Sequence, residues 1–72
     1  MPKTIHLQIY KDITAKLKVA RLESGLTQKQ AAQRLKKPQS YISKVEVGEQ
    51  RIDVVELKEF ALLYKKKINF FI

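Results

Sequence analysis

The sequence predicts a small all-α domain, and three observations lead to this fold class. The chain has 72 residues, enough for one domain with a small core and too few for two. Its two glycines and two prolines stand where helical patterns stop or start. Between them, apolar residues recur at the spacing of amphipathic helices. We expect a single compact domain of four to five helices over residues 1–72, with short extended segments at the termini as the alternative there.

The first helix is predicted over residues 12–24. Ile13, Leu17 and Ala20 recur at helical spacing, and Gly25 follows as the residue that most readily adopts the left-handed conformation of a helix C-cap. Before this helix, the segment from Thr4 to Ile9 alternates apolar and polar residues. A period of two is typical of a β-strand, so we expect a short strand within residues 1–10.

The second helix is predicted over residues 27–35. Thr27 and Gln30 have the spacing of a capping box, in which the threonine hydroxyl accepts from the Gln30 N–H and the glutamine side chain reaches back. Ala31, Ala32 and Leu35 form its inner face. These features predict a short helix with a defined beginning.

The third helix is predicted over residues 38–47, between Pro38, which suits a first helical turn, and Gly48. At 100° per residue, Ile42 and Val45 fall on one side of the helix with Tyr41 at the edge. The opposite side contains hydrogen-bonding groups and one cation, without an acid: Gln39, Ser40, Ser43 and Lys44. We therefore expect one buried and one exposed polar face.

The fourth helix is predicted over residues 53–66. Asp53 and Glu56 mark its beginning, and Leu57, Phe60 and Tyr64 form its core stripe. Residues 68–72 follow, in which apolar residues again alternate. This last segment fits either a second short strand or one capped helical turn.

The composition favours an anionic partner and excludes several other classes. The chain has 15 Lys and Arg against 7 Asp and Glu, a net charge of +8, of which +4 falls in residues 25–48. Nucleic acid is the first candidate for such a surplus. Without cysteine there is no disulfide framework and no thiolate metal site. We find no catalytic constellation and expect no enzyme, cofactor, metal or membrane span.

The second and third helices, separated by a tight turn, have the arrangement of a helix-turn-helix. A major groove about 12 Å wide admits one α-helix, and side chains near the N-terminus of that helix reach the base edges. The polar face of the third helix fits this use. Gln39 has a donor and an acceptor suited to adenine, whereas Lys44 and Arg51 are suited to phosphates.

From Leu17 to about Tyr64 the chain resembles the lambda-repressor-like, Cro/C1-type (XRE) helix-turn-helix family. The resemblance rests on an ordered set of segments: Gly25-Leu26-Thr27-Gln28, Ala31-Ala32, Pro38-Gln39-Ser40-Tyr41-Ile42-Ser43-Lys44-Val45-Glu46, Gly48, and Arg51-Ile52-Asp53-Val54-Val55-Glu56-Leu57. It implies a lambda-repressor-like fold and binding to double-stranded DNA. Lys36 departs from the glycine common in the family's turn, which implies either a left-handed lysine or a different turn.

The resemblance also implies roles for individual residues. Arg21 and Glu46 match a structural ion pair between the first and third helices. The expected base contacts are Gln39, Ser40 and Ser43. The expected DNA backbone contacts are Gln28, Lys36, Lys37, Tyr41, Lys44 and Arg51. Among them, Lys36 departs from the family and is expected to reach a phosphate by its charge, and Tyr41 is placed by the helical wheel, with packing against the second helix as its alternative.

We expect a sequence-specific transcriptional regulator, in the first place a repressor, that binds a palindromic operator as a homodimer. We expect it in the cytoplasm with the nucleoid, without a small-molecule ligand. The segments 1–10 and 68–72 are candidate dimerisation segments through Ile5, Leu7, Ile9, Ile68, Phe70, Phe71 and Ile72, and pairing of the two terminal strands within one chain is the alternative. The competing function is a protein-interaction module, such as an antitoxin, whose DNA binding is secondary.

Overall fold

The computed structural model describes the backbone of residues 3–72 and the side chains of residues 7–72. Four α-helices and one short 3₁₀ turn follow each other along this part of the chain, without a strand. They are α1 (Lys3–Glu23), α2 (Gln28–Leu35), α3 (Gln39–Glu46), α4 (Val54–Leu63) and the C-terminal turn (Ile68–Phe70). The all-α fold class predicted from the sequence is therefore confirmed.

The strand expected from Thr4 to Ile9 is wrong, because α1 begins at Lys3 and runs through this segment without interruption. The alternation covers only six residues, and the same residues also continue the helical stripe. Ile9 precedes Ile13 by four residues, and Ile13 precedes Leu17 by four. No glycine or proline separates the segment from the helix, so the helix propagates backward through it. Pairing between two terminal strands is excluded with it.

Capping side chains fix the beginnings of α2 and α4. The Thr27 hydroxyl accepts from the Gln30 N–H at 3.1 Å, and the Gln30 side chain accepts from the Thr27 N–H at 2.9 Å. Asp53 and Glu56 form the same reciprocal pair at α4. These bonds satisfy N–H groups that the first turn of a helix leaves unpaired.

One core lies between the helices. Its fully buried apolar residues come from every helix and from the C-terminal segment: Leu17, Ala20, Ala31, Ala32, Ile42, Val45, Leu57, Phe60, Ala61, Tyr64 and Phe71. The helical alternative for residues 68–72 is the observed one, and Phe71 is only 1 % exposed. Its side chain is part of the domain's own core, so the expectation that it forms a dimer surface is wrong.

None of the helices described over residues 3–72 combines the length and the apolar character that crossing a membrane requires.

Candidate nucleic-acid interface

The turn between α2 and α3 is closed by a lysine in the left-handed conformation. Lys36 has φ 57° and ψ 44°, and the N–H of Lys37 donates to the Ala32 carbonyl at 2.9 Å. This is the helix-ending geometry that glycine usually adopts, and a residue with a Cβ enters it at a cost of about 1 kcal/mol. Of the two alternatives at this position, the strained lysine is therefore the observed one. The Lys36 side chain remains exposed.

The N-terminus of α3 differs from those of α2 and α4. Pro38 precedes the helix with extended backbone angles and supplies no capping side chain. Within residues 3–72, the N–H groups of Gln39 and Ser40 donate to no acceptor, whereas that of Tyr41 bonds to the Pro38 carbonyl at 3.0 Å. An α-helix carries partial positive charge at such an end, so this end of α3 can accept an anion.

The front face of α3 contains the polar side chains selected from the sequence: Gln39, Ser40, Ser43 and Lys44. Three of them are exposed and Ser43 is half-buried. Among the side-chain hydrogen bonds and ion pairs of the described residues, none involves these four. Their donors and acceptors are therefore available to a partner outside the chain.

The back face of α3, in contrast, is buried and hydrogen-bonded within the domain. Ile42 and Val45 are completely buried, and one helical turn further Glu46 ends the helix inside a polar cluster. Arg21 forms a bidentate ion pair with the Glu46 carboxylate, with Nε and Nη2 at 2.6 and 3.1 Å. These side chains are 8 % and 4 % exposed, and the hydrogen bond to Glu46 raises the pKa of Arg21 above its ordinary value. The pair ties α1 to α3 and is structural.

Gln28 belongs to the same cluster. Its amide nitrogen donates to Glu46 Oε1 at 3.0 Å, while Arg21 Nη1 donates to the Leu26 carbonyl at 2.9 Å. One amide hydrogen and the carbonyl oxygen of Gln28 remain without a partner in the described chain, so a phosphate contact is still chemically open to it. The sequence indicated the Arg21–Glu46 pair but did not indicate that Gln28 shares the carboxylate.

The Tyr41 side chain is half-buried and makes contacts with α4 that the sequence did not indicate. Its hydroxyl donates to Glu56 Oε2 at 2.7 Å, and its ring stacks parallel to that of Phe60 with centroids 6.1 Å apart. Burial, followed by the bond to Glu56, raises the pKa of the hydroxyl. A phosphate contact from this hydroxyl would require breaking that bond. The ammonium of Lys37 lies 5.2 Å above the ring and stays exposed.

The remaining cations expected at the DNA backbone are exposed as well. Lys44 lies in the last turn of α3, and Arg51 lies in the loop that joins α3 to α4. The Arg51 guanidinium carbon is 5.7 Å from the ring centroid of Tyr10 on α1. Sequence reasoning missed Tyr10, because the two residues lie far apart along the chain and no local pattern connects them.

Two short helices, α2 and α3, are joined by a tight turn. The second is held in the domain by its back face and exposes unpaired polar groups on its front face, which is the arrangement of a helix-turn-helix protein. A family model described as helix-turn-helix matches residues 17–71. The chain belongs to this family, the Cro/C1-type (XRE) helix-turn-helix proteins, as the resemblance of the sequence indicated. It is a family of DNA-binding transcriptional regulators and not of enzymes. No curated protein and no solved structure matches the chain.

Proposed function

We propose that this protein is a sequence-specific transcriptional repressor that binds a palindromic operator as a homodimer and places α3 in the major groove. The observation that carries the proposal is the free front face of α3. It combines unpaired side chains with a helix N-terminus that no side chain caps. Groups that find no partner within a domain are those that a ligand can use, and DNA is the ligand class of the family.

The proposed DNA contacts fall into two groups: readers, which contact bases from the front face of α3, and anchors, which contact phosphates from that face and from the segments beside it. Gln39 lies at the first position of α3 and can pair with adenine through its amide, while Ser40 and Ser43 are short groups able to donate or accept. Lys36, Lys37, Lys44 and Arg51 are exposed cations that fit phosphates, which position a domain without selecting a sequence. Gln28 joins the anchors through its free amide hydrogen.

The homodimer rests on apolar surface that the domain leaves uncovered. Ile9 on α1, Val54 at the start of α4 and Ile72 at the end of the chain are exposed, the last two at 75 % each. They border a groove made of two adjoining clefts that share Ile13 and Ile72, one beside Ile9 and the other beside Val54 and Ile68. A second copy that covers this groove would bury aliphatic surface and present two α3 helices to half-sites about 34 Å apart.

The test is selection of binding sites from a random pool of duplex DNA, followed by sedimentation of the protein with the selected site. We expect an inverted repeat and a complex of two chains per duplex. If each chain neutralises about four phosphates, the logarithm of the dimer's affinity should fall against the logarithm of salt with a slope of about −7. Enrichment of no sequence would contradict the proposal, and a monomer bound to one half-site would contradict the dimer.

The same exposed apolar groove supports a second candidate, an interaction module such as an antitoxin. In that case the groove binds a different protein and DNA binding is secondary. The two candidates differ in the effect of Val54→Lys, which places a charge on the groove and leaves the front face of α3 unchanged. The repressor loses cooperative binding to the inverted repeat, whereas the interaction module keeps its DNA affinity and loses its protein partner.

A further inference from the structure

The first part of α1 lies outside the family match, which begins at residue 17. Tyr10 on this part of α1 contacts the loop between α3 and α4 in two ways. Its hydroxyl donates a hydrogen bond to the main-chain carbonyl of Gln50, and the face of its ring lies beneath the guanidinium of Arg51. The two contacts hold consecutive residues of one loop.

This loop contains little structure of its own. Residues 49–53 belong to no helix, and their backbone is held mainly by the N–H groups of Glu49 and Gln50, which donate to the Lys44 carbonyl at 2.9 and 3.2 Å. Gly48, directly before the loop, also lies close to α1, because an added Cβ there would be 3.3 Å from the Lys11 side chain. The N-terminal half of α1 is therefore the support on which the loop rests.

Arg51 keeps its chemistry in this arrangement. A cation–π contact uses the face of the tyrosine ring and none of the five N–H donors of the guanidinium, so all of them remain available to a phosphate. No carboxylate among the described residues forms an ion pair with Arg51. Ordering a long, flexible side chain before the ligand arrives reduces the cost of binding.

We infer that Tyr10 is a positioning residue for DNA binding, which orders the loop after α3 and holds the Arg51 guanidinium ready for a phosphate. The inference rests on the proposed role of Arg51 at the DNA backbone. It gives a function to a stretch of α1 that precedes the matched helix-turn-helix region. The ordinary pKa of a tyrosine is 10.0 and burial raises that of Tyr10 further, so the hydroxyl that donates to Gln50 carries its proton at neutral pH.

The experiment compares operator affinity across a salt series for the full chain with Tyr10→Phe, Tyr10→Leu, Arg51→Ala, and the combination of Tyr10→Leu with Arg51→Ala. The probe is the duplex selected from the random pool. Tyr10→Phe keeps the ring and loses the bond to Gln50, whereas Tyr10→Leu loses both contacts. We expect Tyr10→Leu to weaken binding by about 2- to 5-fold per chain and to lower the salt slope. Tyr10→Phe should weaken binding by about 2-fold.

The combined variant separates positioning from simple stability. If Tyr10 acts through Arg51, Tyr10→Leu changes affinity by less than about 2-fold once Arg51→Ala is already present. Ser24→Ala is the matched control. The Ser24 hydroxyl, directly after α1, lies 2.9 Å from the Ala20 carbonyl and 3.2 Å from the Tyr64 carbonyl, so its removal costs a main-chain contact outside the loop. It should lower the melting temperature and leave affinity and salt slope unchanged.

Two results would overturn the inference. One is a loss of affinity from Tyr10→Leu that is as large in the Arg51→Ala background as in the unaltered chain, and the other is wild-type affinity and salt slope in both Tyr10 variants. If Tyr10→Leu does not fold, the affinity of Tyr10→Phe decides, and a wild-type affinity for that variant overturns the inference. If Arg51→Ala binds as wild type does, the phosphate role of Arg51 fails and the inference fails with it, while DNA binding stands. Failure of the unaltered chain to select any DNA would instead refute the proposed function.

Discussion

The two faces of α3 differ in where their polar groups find partners. On the back, Glu46 accepts from both Arg21 and Gln28 and is almost fully buried. On the front, the side chains of Gln39 and Ser40 bond to nothing in the described chain and are exposed. One helix of eight residues thus carries both a structural and a ligand-facing surface. Polar groups with internal partners set the position of α3, and polar groups without them are available to a ligand.

The largest effect is expected on the back face. Glu46→Ala leaves Arg21 buried without its carboxylate, which should lower the free energy of unfolding by about 3–5 kcal/mol. Thermal and urea unfolding measure this loss. The control is the double variant Arg21→Met with Glu46→Leu, in which no charge is stranded and most of the stability should return. A loss below about 1 kcal/mol in Glu46→Ala would mean that the pair does not hold α3.

The front face should show the opposite division between stability and binding. Gln39→Ala removes no internal contact, so we expect an unchanged melting temperature. Binding should lose about 1–3 kcal/mol of discrimination at one base pair in each half-site. Competition between operator variants measures the discrimination. Lys44→Ala is the matched control, since the loss of a phosphate contact should weaken binding to all duplexes alike. If Lys44→Ala changed the preferred base and Gln39→Ala did not, the roles assigned to Gln39 at a base and to Lys44 at a phosphate would be exchanged.

Tyr41 lies at the edge between the two faces and tests where the boundary falls. Tyr41→Phe loses the hydrogen bond to Glu56 and should cost about 1.5 kcal/mol of stability. The pKa of Tyr41 is raised from its ordinary value of 10.0. Above about pH 10 the unfolded chain therefore releases the phenolic proton while the folded chain retains it, so stability falls as the pH rises further. Between about pH 9 and 11, the free energy of unfolding should fall less steeply with pH for Tyr41→Phe than for the unaltered chain. Equal slopes would contradict the assignment.

The smallest effect concerns Tyr64, a second tyrosine of the core whose hydroxyl lacks a partner such as Tyr41 has in Glu56. The Tyr64 hydroxyl is buried and, among the described residues, forms no hydrogen bond. Tyr64→Phe should therefore leave stability unchanged or raise it by up to about 1 kcal/mol, since a buried group without a partner is removed. Thermal unfolding beside Tyr41→Phe gives the comparison directly. A loss as large as that of Tyr41→Phe would show that the hydroxyl has a partner after all.

The helices and their beginnings follow from local sequence signals, and the contacts between distant residues do not. The capping pairs at Thr27 and Asp53 are set by residues three apart, so the sequence predicts them. The N-terminal extension of α1 was missed because six alternating residues fit both a strand and the apolar stripe of a helix. The bond from Tyr41 to Glu56 and the contact of Tyr10 with Arg51 depend on how α1, α3 and α4 pack, which no local pattern encodes.

The family resemblance accounts for most of what could be said of the site beforehand. It named Arg21 and Glu46, and the structure shows them 2.6 Å apart. It named Gln28 as a DNA contact, and the helical wheel left the same role open for Tyr41; the structure shows that each also bonds within the protein. A residue's place in a motif indicates which surface it is near. Whether its polar group is free depends on acids elsewhere in this chain, here Glu46 and Glu56.

The left-handed Lys36 sets stability and binding against each other at a single position. Glycine there would relax the backbone, and it would also remove a cation from the turn that leads into α3. A laboratory evolution experiment that rewards heat resistance alone should therefore enrich Lys36→Gly. One that rewards DNA binding should keep the lysine if Lys36 contacts a phosphate, as proposed. Alternating the two selections would show how much backbone strain is tolerated at Lys36 for the sake of its positive charge.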